Sequence, residues 1–145
     1  MTYHIDQLHP GMSASMAKTV TEADIILFSG VSTDVNPAHI DEEYAKTTMF
    51  GGRIAHGMLS ASFISAVLGN QMPGNGCIYV SQSLKFKAPV RPGDTVKATV
   101  TVKEVNVAKN RVILDTVCTV AGKTVIEGEC MMMPAVRAAA PTGTA

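Results

Sequence analysis

Three polar groups fall within six residues of this chain: a carboxylate at Asp34, an amide at Asn36 and an imidazole at His39. Aspartate and histidine are the usual pair for general acid–base catalysis, and such groups commonly lie on loops carried by a rigid scaffold. Pro37 fixes one backbone φ angle and would help to hold the groups in one geometry. An ordinary turn, in which Asp34 is a cap and His39 only packs, has the same composition.

A second candidate lies at His56 and Gly57, where an apolar helix is predicted to begin. A helix start carries unpaired N–H groups and partial positive charge, and a glycine there lets a ligand oxygen approach the backbone. The Gly57 N–H could therefore stabilise an oxyanion. Glycine is also an ordinary cap residue, and His56 could simply satisfy a nearby carbonyl. The two clusters support each other only if they meet in space.

Other polar residues give weaker signals. Ser62 and Ser65 lie on the predicted helix without the Gly-x-Ser-x-Gly elbow of a serine nucleophile. We expect them to permit close packing or to hydrogen-bond the loop that carries the acid–base pair. Lys85, Lys87 and Arg91 could bind phosphates, although a solvated strand face is the more common role of lysine.

Metal and nucleotide chemistry find no support in the sequence. Cys77, Cys118 and Cys130 are widely spaced without a Cys-x-x-Cys, which argues against a disulfide framework or a zinc site and fits a reducing compartment. We expect these thiols to be buried and inert. No Gly-x-Gly-x-x-Gly or Walker loop is present, so the sequence gives no indication of nucleotide-dependent redox chemistry or phosphoryl transfer.

Composition limits the class of protein further. The 145 residues carry 12 Lys+Arg and 12 Asp+Glu, so the net charge is zero and offers no basic field for nucleic acid or an anionic membrane. With 46% apolar and 17% charged residues, the chain is predicted to form one folded domain. Neither a signal peptide nor an apolar run of ~20 residues is present, so we expect a cytoplasmic protein.

The elements that must position the candidates differ between the two halves of the chain. In the first half, Thr21 and Asp24 predict a capping box and a helix that ends near Gly30. Asp41 is predicted to cap a short helix. Residues 57–69 predict a central helix that is apolar almost all round and must be wrapped by other structure.

The second half alternates apolar and polar residues with a period of two, which indicates strands. Four long strands in meander order would form an antiparallel sheet with one buried face, curled around the central helix. Long strands such as 95–105 would leave exposed sheet edges, which predicts a homodimer closed by edge pairing. Residues 1–134 would form the domain, followed by a disordered tail over 135–145. The predicted strands cover residues 12–20, 78–87, 95–103, 111–120 and 124–133.

The run from Phe28 to His39 is similar to the hydratase-2 motif of MaoC-like (R)-specific enoyl-CoA hydratases. In that motif Gly-Asp or a variant precedes x-Asn-Pro-x-His, and here Thr33 stands before the aspartate. The segment His56-Gly57-Met58 and residues 86–94 match further landmarks of the family. The resemblance extends over about residues 12–134, and it is closest to the short bacterial members that supply polyhydroxyalkanoate synthesis.

The resemblance implies an α+β hot-dog fold, an antiparallel sheet around a central helix, in a protein that is usually a homodimer. It implies a catalytic Asp34–His39 dyad, an oxyanion donor at the Gly57 N–H, and supporting roles for neighbouring polar residues. The implied reaction is reversible syn hydration of a trans-2-enoyl-CoA to an (R)-3-hydroxyacyl-CoA, with no metal and no cofactor besides the CoA thioester. The supporting residues are Asn36, His56, Ser62 and Ser65.

Two side chains are predicted to wall the acyl chain, Leu68 near the helix end and Met132 on the last strand, because both are bulky. Lys85, Lys87 and Arg91 would then meet the phosphates of CoA. Two other classes of function stay open: a hot-dog acyl-CoA thioesterase and a non-catalytic acyl-CoA-binding protein. The presence of both an aspartate and a histidine in the motif disfavours the non-catalytic class.

Overall fold

The computed structural model describes residues 1–139 and 142–143. In these residues, six strands form one antiparallel sheet in the order β1-β4-β5-β6-β2, with the short β3 also beside β6. The strands are β1 (Ser13–Thr19), β2 (Ile78–Gln82), β3 (Lys85–Phe86), β4 (Thr95–Asn106), β5 (Arg111–Val120) and β6 (Lys123–Met133). The helices are α1 (Glu22–Ser32), α2 (Pro37–Ile40), α3 (Glu42–Ala45) and α4 (Gly57–Asn70).

Helix α4 is the element around which the sheet packs, as its apolar sequence predicted. Ile64, Val67 and Leu68 are fully buried, and the helix contacts β1, β4 and β5. Burial of each such side chain contributes about 1.5–3 kcal/mol to stability. The helix continues one residue beyond the predicted end at Gly69. The facing residues of β4 alternate as predicted, and the buried ones are Val96, Ala98, Val100 and Val102.

Two of the three cysteines belong to this core. Cys118 and Cys130 are buried in β5 and β6, and Cys77 is partly buried. Burial raises the pKa of the Cys118 thiol to about 11 and that of Cys130 to about 12. At neutral pH both side chains are therefore protonated and inert, as expected from the sequence.

The predicted meander is correct for β4, β5 and β6 and wrong for the strands before them. Strands β2 and β3 pair with β6. Residues 87–94, which follow β3, then cross the sheet from the β6 side to the β1 side and lead into β4. Lys87 N–H donates to the Val125 carbonyl beside β6, whereas Val20 N–H, next to β1, donates to the Asp94 carbonyl. Strand β4 is thus interior, and the edge that residues 95–105 were expected to expose is covered by β1.

The strand predicted over 78–87 is interrupted at Ser83 and Leu84, between β2 and β3. The Ser83 carbonyl approaches β6 so closely that a Cβ on Gly128 would lie 1.9 Å from its oxygen. Only glycine admits that approach, so Gly128 permits the break in the edge strand.

Helix α1 begins as predicted and ends later. The Thr21 hydroxyl accepts a hydrogen bond from Asp24 N–H, and the Asp24 carboxylate accepts one from Thr21 N–H. The helix passes through Gly30 and ends at Ser32, because the left-handed residue that terminates it is Thr33, with a φ of 64°. The predicted cap at Asp41 is present, at the start of α3.

The start of the predicted disordered tail is held against the N-terminal segment. His4 Nδ1 donates to the Ala135 carbonyl at 2.7 Å, and Arg137 pairs with Asp6 at 3.0 Å. The first residues of the tail therefore contact the N-terminal segment, and the boundary at residue 134 stays a prediction. Residues 140, 141, 144 and 145 of that prediction lie outside the described residues. In the described part of the chain, no helix has the length and apolar character needed to cross a membrane.

Candidate active site

The loop between α1 and α2 presents the Asp34 carboxylate. The Ser32 hydroxyl accepts a hydrogen bond from Asp34 N–H at 3.1 Å, and Asp34 Oδ1 accepts one from Asn36 N–H at 3.2 Å. These local bonds fix the loop just after the left-handed turn at Thr33. The carboxylate itself stays half-exposed, with 51% of the side chain accessible.

His39 lies on the single turn of α2, opposite the carboxylate. Asn36 caps this turn by accepting a hydrogen bond from Ala38 N–H, and Pro37 occupies its first position. The His39 ring is largely buried, and its Nδ1 lies 2.8 Å from the Ile54 carbonyl oxygen. Because a carbonyl only accepts, Nδ1 carries the hydrogen of the neutral ring and Nε2 carries the lone pair.

The two candidate groups of the dyad face each other across a short gap. His39 Nε2 lies 3.8 Å from Asp34 Oδ2, which is beyond direct hydrogen-bond range. An ionised carboxylate and a neutral imidazole nitrogen are both acceptors, so one water molecule could donate its two hydrogens to them. The arrangement is suited to activating that water by general base catalysis.

His56 closes the back of this site. Its ring is 2% exposed and stacks on His39 with the ring centroids 3.9 Å apart, while Phe28 contacts it edge-on at 4.9 Å. His56 Nε2 lies 2.9 Å from the backbone carbonyl of Asp34. The carbonyl that the sequence suggested His56 might satisfy therefore belongs to the candidate catalytic aspartate.

A cavity of about 510 Å³ is lined by both Asp34 and Gly57, the first residue of α4. Among the described residues, no acceptor contacts the Gly57 N–H. A Cβ on Gly57 would lie 2.6 Å from Cε1 of Phe86, so a larger residue there would have to displace that exposed ring. The walls are mostly apolar and include Ile54, Ala55, Phe86, Val90 and Ile126.

Leu68 and Met132, the two residues predicted to wall an acyl chain, are buried in the core. Leu68 is fully buried and Met132 is 1% exposed, and neither lines this cavity or the second one. Leu68 shares the sheet-facing stripe of α4 with Ile64, one turn earlier, and therefore fills the core. That these two side chains wall an acyl chain therefore stays a prediction.

Ser62 and Ser65 line a second cavity of about 530 Å³, between α4 and the residues around β2. The Ser62 hydroxyl donates to the Leu59 carbonyl within the helix rather than to the loop that carries Asp34. Met58 lines both cavities. The two serines therefore line a cavity that adjoins, through Met58, the one lined by Asp34.

Of the three cations predicted to meet phosphates, only Lys87 lines the cavity that contains Asp34. Its ammonium lies 3.5 Å from Glu127 and is half-exposed. The Arg91 guanidinium donates to the Phe50 carbonyl and so holds the loop before α4. Lys85 is exposed on β3 and lines neither cavity.

Asp34, His39 and His56 offer potential metal ligands within 4.8 Å of one another. His56 Nε2 already contacts the Asp34 carbonyl, and His56 Nδ1 is buried. Since Nδ1 has no hydrogen-bond partner among the described residues but also no solvent access, the ligands open to an ion are His39 Nε2 and the Asp34 carboxylate, fewer than the three protein ligands typical of a catalytic zinc site. The donor set therefore fits a resident metal poorly.

Two residues that hold the site were not singled out in the sequence. Arg53 donates to Glu22 on α1 at 2.7 Å and contacts Glu42 on α3, so it ties both helices to the segment before α4. Ser29 is buried on α1, and its hydroxyl lies 3.2 Å from His56 Nε2. The one available signal was helical spacing, since Ser29 lies four residues after the buried Ile25.

Comparison with known proteins finds similar sequences over nearly the whole chain. The model of the MaoC like domain matches residues 7–128. The chain is 62% identical over 131 residues to an (R)-specific enoyl-CoA hydratase of Rhodospirillum rubrum, covering 90% of this chain and 91% of that protein. It is 41% identical over 126 residues to an (R)-specific enoyl-CoA hydratase of Aeromonas caviae, covering 86% and 94%.

Solved structures of two hydratases superpose closely on the structure of this chain. The (R)-hydratase of A. caviae involved in PHA biosynthesis has a TM-score of 0.85 at 40% identity, over 88% of this chain and 97% of that one. The unliganded R-hydratase PhaJ1 of Pseudomonas aeruginosa also has a TM-score of 0.85 at 40% identity, over 98% and 95%. The hot-dog architecture expected from the sequence is thereby confirmed.

Proposed function

The chain belongs to the MaoC-like family, and we propose that its Asp34, His39 and Gly57 carry out the (R)-specific hydration of a trans-2-enoyl-CoA. The observation that carries the residue assignment is the 3.8 Å gap between His39 Nε2 and Asp34 Oδ2. Both atoms are free to accept a hydrogen bond, and the adjoining cavity is also lined by the start of α4. Asp34 lines that cavity itself, and His39 lies behind the ring of His56, which also lines it.

In the proposed reaction, His39 takes a proton from the water as the oxygen attacks C3 of the conjugated double bond. One O–H bond and the C2–C3 π bond break, and C3–O and C2–H bonds form. Asp34 and His39 return a proton to C2, so that the dyad ends in its starting state. Because one water lies between both groups, the oxygen and the proton reach the same face of the double bond.

Negative charge moves onto the thioester oxygen during the attack and needs a donor there. The Gly57 N–H has no partner among the described residues and lies at the N-terminal end of α4, where the helix dipole is positive. A preorganised donor of this kind contributes about 10²–10³-fold to a rate. We expect no cofactor besides the CoA thioester, and Lys87 is the cation best located for its phosphates.

We further propose that the protein is a homodimer joined at the edge formed by β2. That strand is exposed on both faces, with Ile78 at 56% and Val80 at 46% on one face and Tyr79 at 39% on the other, and its outer edge is unpaired in the described chain. An apolar, unpaired edge strand is an aggregation liability unless a partner covers it. Pairing of two such edges about a two-fold axis would continue one sheet through both subunits.

We also propose a cellular location and a metabolic process for this protein. A cytoplasmic location fits the reducing conditions that unpaired cysteines favour. An (R)-3-hydroxyacyl-CoA product would suit polyhydroxyalkanoate synthesis, the process named for the A. caviae hydratase. We expect neither nucleic acid nor a membrane among the partners, because the net charge is zero.

The test is hydration of crotonyl-CoA, followed by loss of the ultraviolet absorbance of the enoyl thioester. We expect the product to be oxidised by a dehydrogenase specific for (R)-3-hydroxyacyl-CoA and not by one specific for the (S) isomer. Release of free thiol from butyryl-CoA, with no hydration, would indicate a thioesterase instead. Binding of crotonyl-CoA without either reaction would indicate a non-catalytic protein.

A further inference from the structure

The buried ring of His56 contacts both members of the proposed dyad by different means. On its face it stacks against the His39 ring, with 29° between the planes. At its edge, Nε2 bonds to the backbone carbonyl of Asp34 rather than to its carboxylate. One side chain therefore touches the imidazole of one member and the main chain of the other.

Hydrogen-bond chemistry fixes the tautomer of His56. The Asp34 carbonyl can only accept, so the hydrogen of the neutral ring resides on Nε2. The Ser29 hydroxyl lies 3.2 Å from the same nitrogen and accepts a second, longer bond from it. The shared N–H holds the plane of the His56 ring between α1, which carries Ser29, and the loop that carries Asp34.

We propose that His56 and Ser29 form a buried positioning pair that sets the gap between Asp34 and His39. The proposal rests on the hydratase function proposed above and adds residues to it. The His39 ring has an in-plane restraint from the Ile54 carbonyl and a face restraint from His56. Rotation of that ring would break both contacts and move Nε2 away from the carboxylate.

The pair acts through the dyad, because Ser29 lines neither cavity and His56, which lines the cavity beside Asp34, has its Nε2 occupied by the Asp34 carbonyl. Its loss should therefore lower kcat while leaving substrate binding nearly intact. A misplacement of about 1 Å in reacting groups costs on the order of 10²-fold in rate. The loss of the weaker Ser29 bond should have a smaller effect.

Two substitutions at His56 separate its two contacts. His56→Phe keeps a flat ring against His39 and loses the donor to Asp34, whereas His56→Gln keeps a donor and loses the ring. We expect His56→Phe to lower kcat for crotonyl-CoA about 30–100-fold with KM changed less than about 3-fold. His56→Gln should recover part of that loss, and Ser29→Ala should cost about 3–10-fold in kcat.

His4→Phe is the matched control, because His4 also bonds a backbone carbonyl, that of Ala135, far from the site in sequence. Its kcat should equal that of the unmodified protein. The nitrogen NMR shifts of His39 supply a second readout, since they report which ring nitrogen carries the hydrogen. We expect His56→Gln, which loses the ring stacked on His39, to mix the two tautomers, and His56→Phe and His4→Phe to leave them unchanged.

A merely structural role would lower the melting temperature of the His56 variants without changing kcat or the His39 signals. If folded His56→Phe keeps kcat within about threefold of the unmodified protein, the positioning role is wrong. Should His56→Phe fail to fold, unchanged kcat in both His56→Gln and Ser29→Ala would overturn it equally. An unmodified protein without hydratase activity would overturn the proposed function instead, so the two failures are distinguishable.

Discussion

His39 Nε2 and Asp34 Oδ2 lie 3.8 Å apart, and different parts of the chain fix the two ends of that gap. Asp34 is set by the end of α1 and by bonds within its own loop. His39 is set by the short α2 and by the carbonyl of Ile54, fifteen residues further along. The two residues are only five positions apart in sequence. The distance between their side chains, which suits one shared water, is nevertheless set by contacts with distant parts of the chain.

The left-handed backbone at Thr33 gives a stability prediction. Its φ of 64° is strained for a β-branched residue, and the family motif often has glycine there. Thr33→Gly should raise stability by about 0.5–1 kcal/mol, or the melting temperature by about 2–4 °C, after the entropy cost of glycine. Ala121→Gly, at a φ of 48° outside the site, should also stabilise. A lower melting temperature for Thr33→Gly would show that the turn is not strained.

Gly57→Ala tests the oxyanion donor without changing any titratable group. The new Cβ would lie 2.6 Å from the Phe86 ring, so that exposed ring or the start of α4 must shift, and either movement changes the cavity that both residues line. We expect kcat to fall about 10–100-fold. Gly30→Ala is the control, because nothing lies within 4 Å of its Cβ, and it should keep full activity. Normal kcat in folded Gly57→Ala would remove Gly57 from the mechanism.

The proposed dimer predicts a solution mass near 31 kDa, twice the 15.3 kDa of the chain, by light scattering at micromolar concentration. Val80→Lys adds charge to the exposed face of β2 and should shift the mass towards the monomer. Ala17→Lys makes the same change on β1, the opposite edge, and should leave the dimer intact. If Ala17→Lys alone dissociates the dimer, the interface lies at the β1 edge and the proposed β2 interface is wrong.

The Arg53 ion pair predicts an acid-dependent loss of stability. Its hydrogen bond lowers the pKa of Glu22 below the usual value, so the folded protein holds the charged form more strongly than the unfolded chain. The contribution is complete above the unfolded pKa of about 4.3 and is lost as pH falls through the lower folded pKa. Glu22→Gln should therefore be less stable in urea titrations at pH 6 and equal to the unmodified protein at pH 2.5. An equal deficit at both pH values would mean that the charge of Glu22 contributes nothing.

Local patterns explain why much of the fold could be predicted. Helix 57–69, the capping box at Thr21 and the strand over 111–120 depend on neighbours in sequence, and the structure confirms them. The order of the strands depends on where residues 87–94 cross the sheet, and alternation of residue types carries no information about that path.

Prediction of the site from the sequence is limited in the same way, because residue patterns do not reveal contacts between distant elements. Asp34 and His39 were predictable because one short motif holds both. Ser29 was missed because its partner His56 lies 27 residues away. The size of Leu68 is visible in the sequence, whereas the direction in which its side chain faces is not. Contacts between distant elements, rather than residue types, determine these roles.

The kcat for crotonyl-CoA hydration by Asp34→Asn and His39→Gln tests the central claim most directly. Each substitution removes a proton carrier with little change in shape, so each should lower kcat by at least about 10²-fold. The double variant should be little worse than the poorer single one, because the two residues hold one water and act as a unit. If either folded variant keeps more than about a tenth of the original kcat, a loss below ~1.4 kcal/mol, that residue does not carry the proton and the proposed mechanism is wrong.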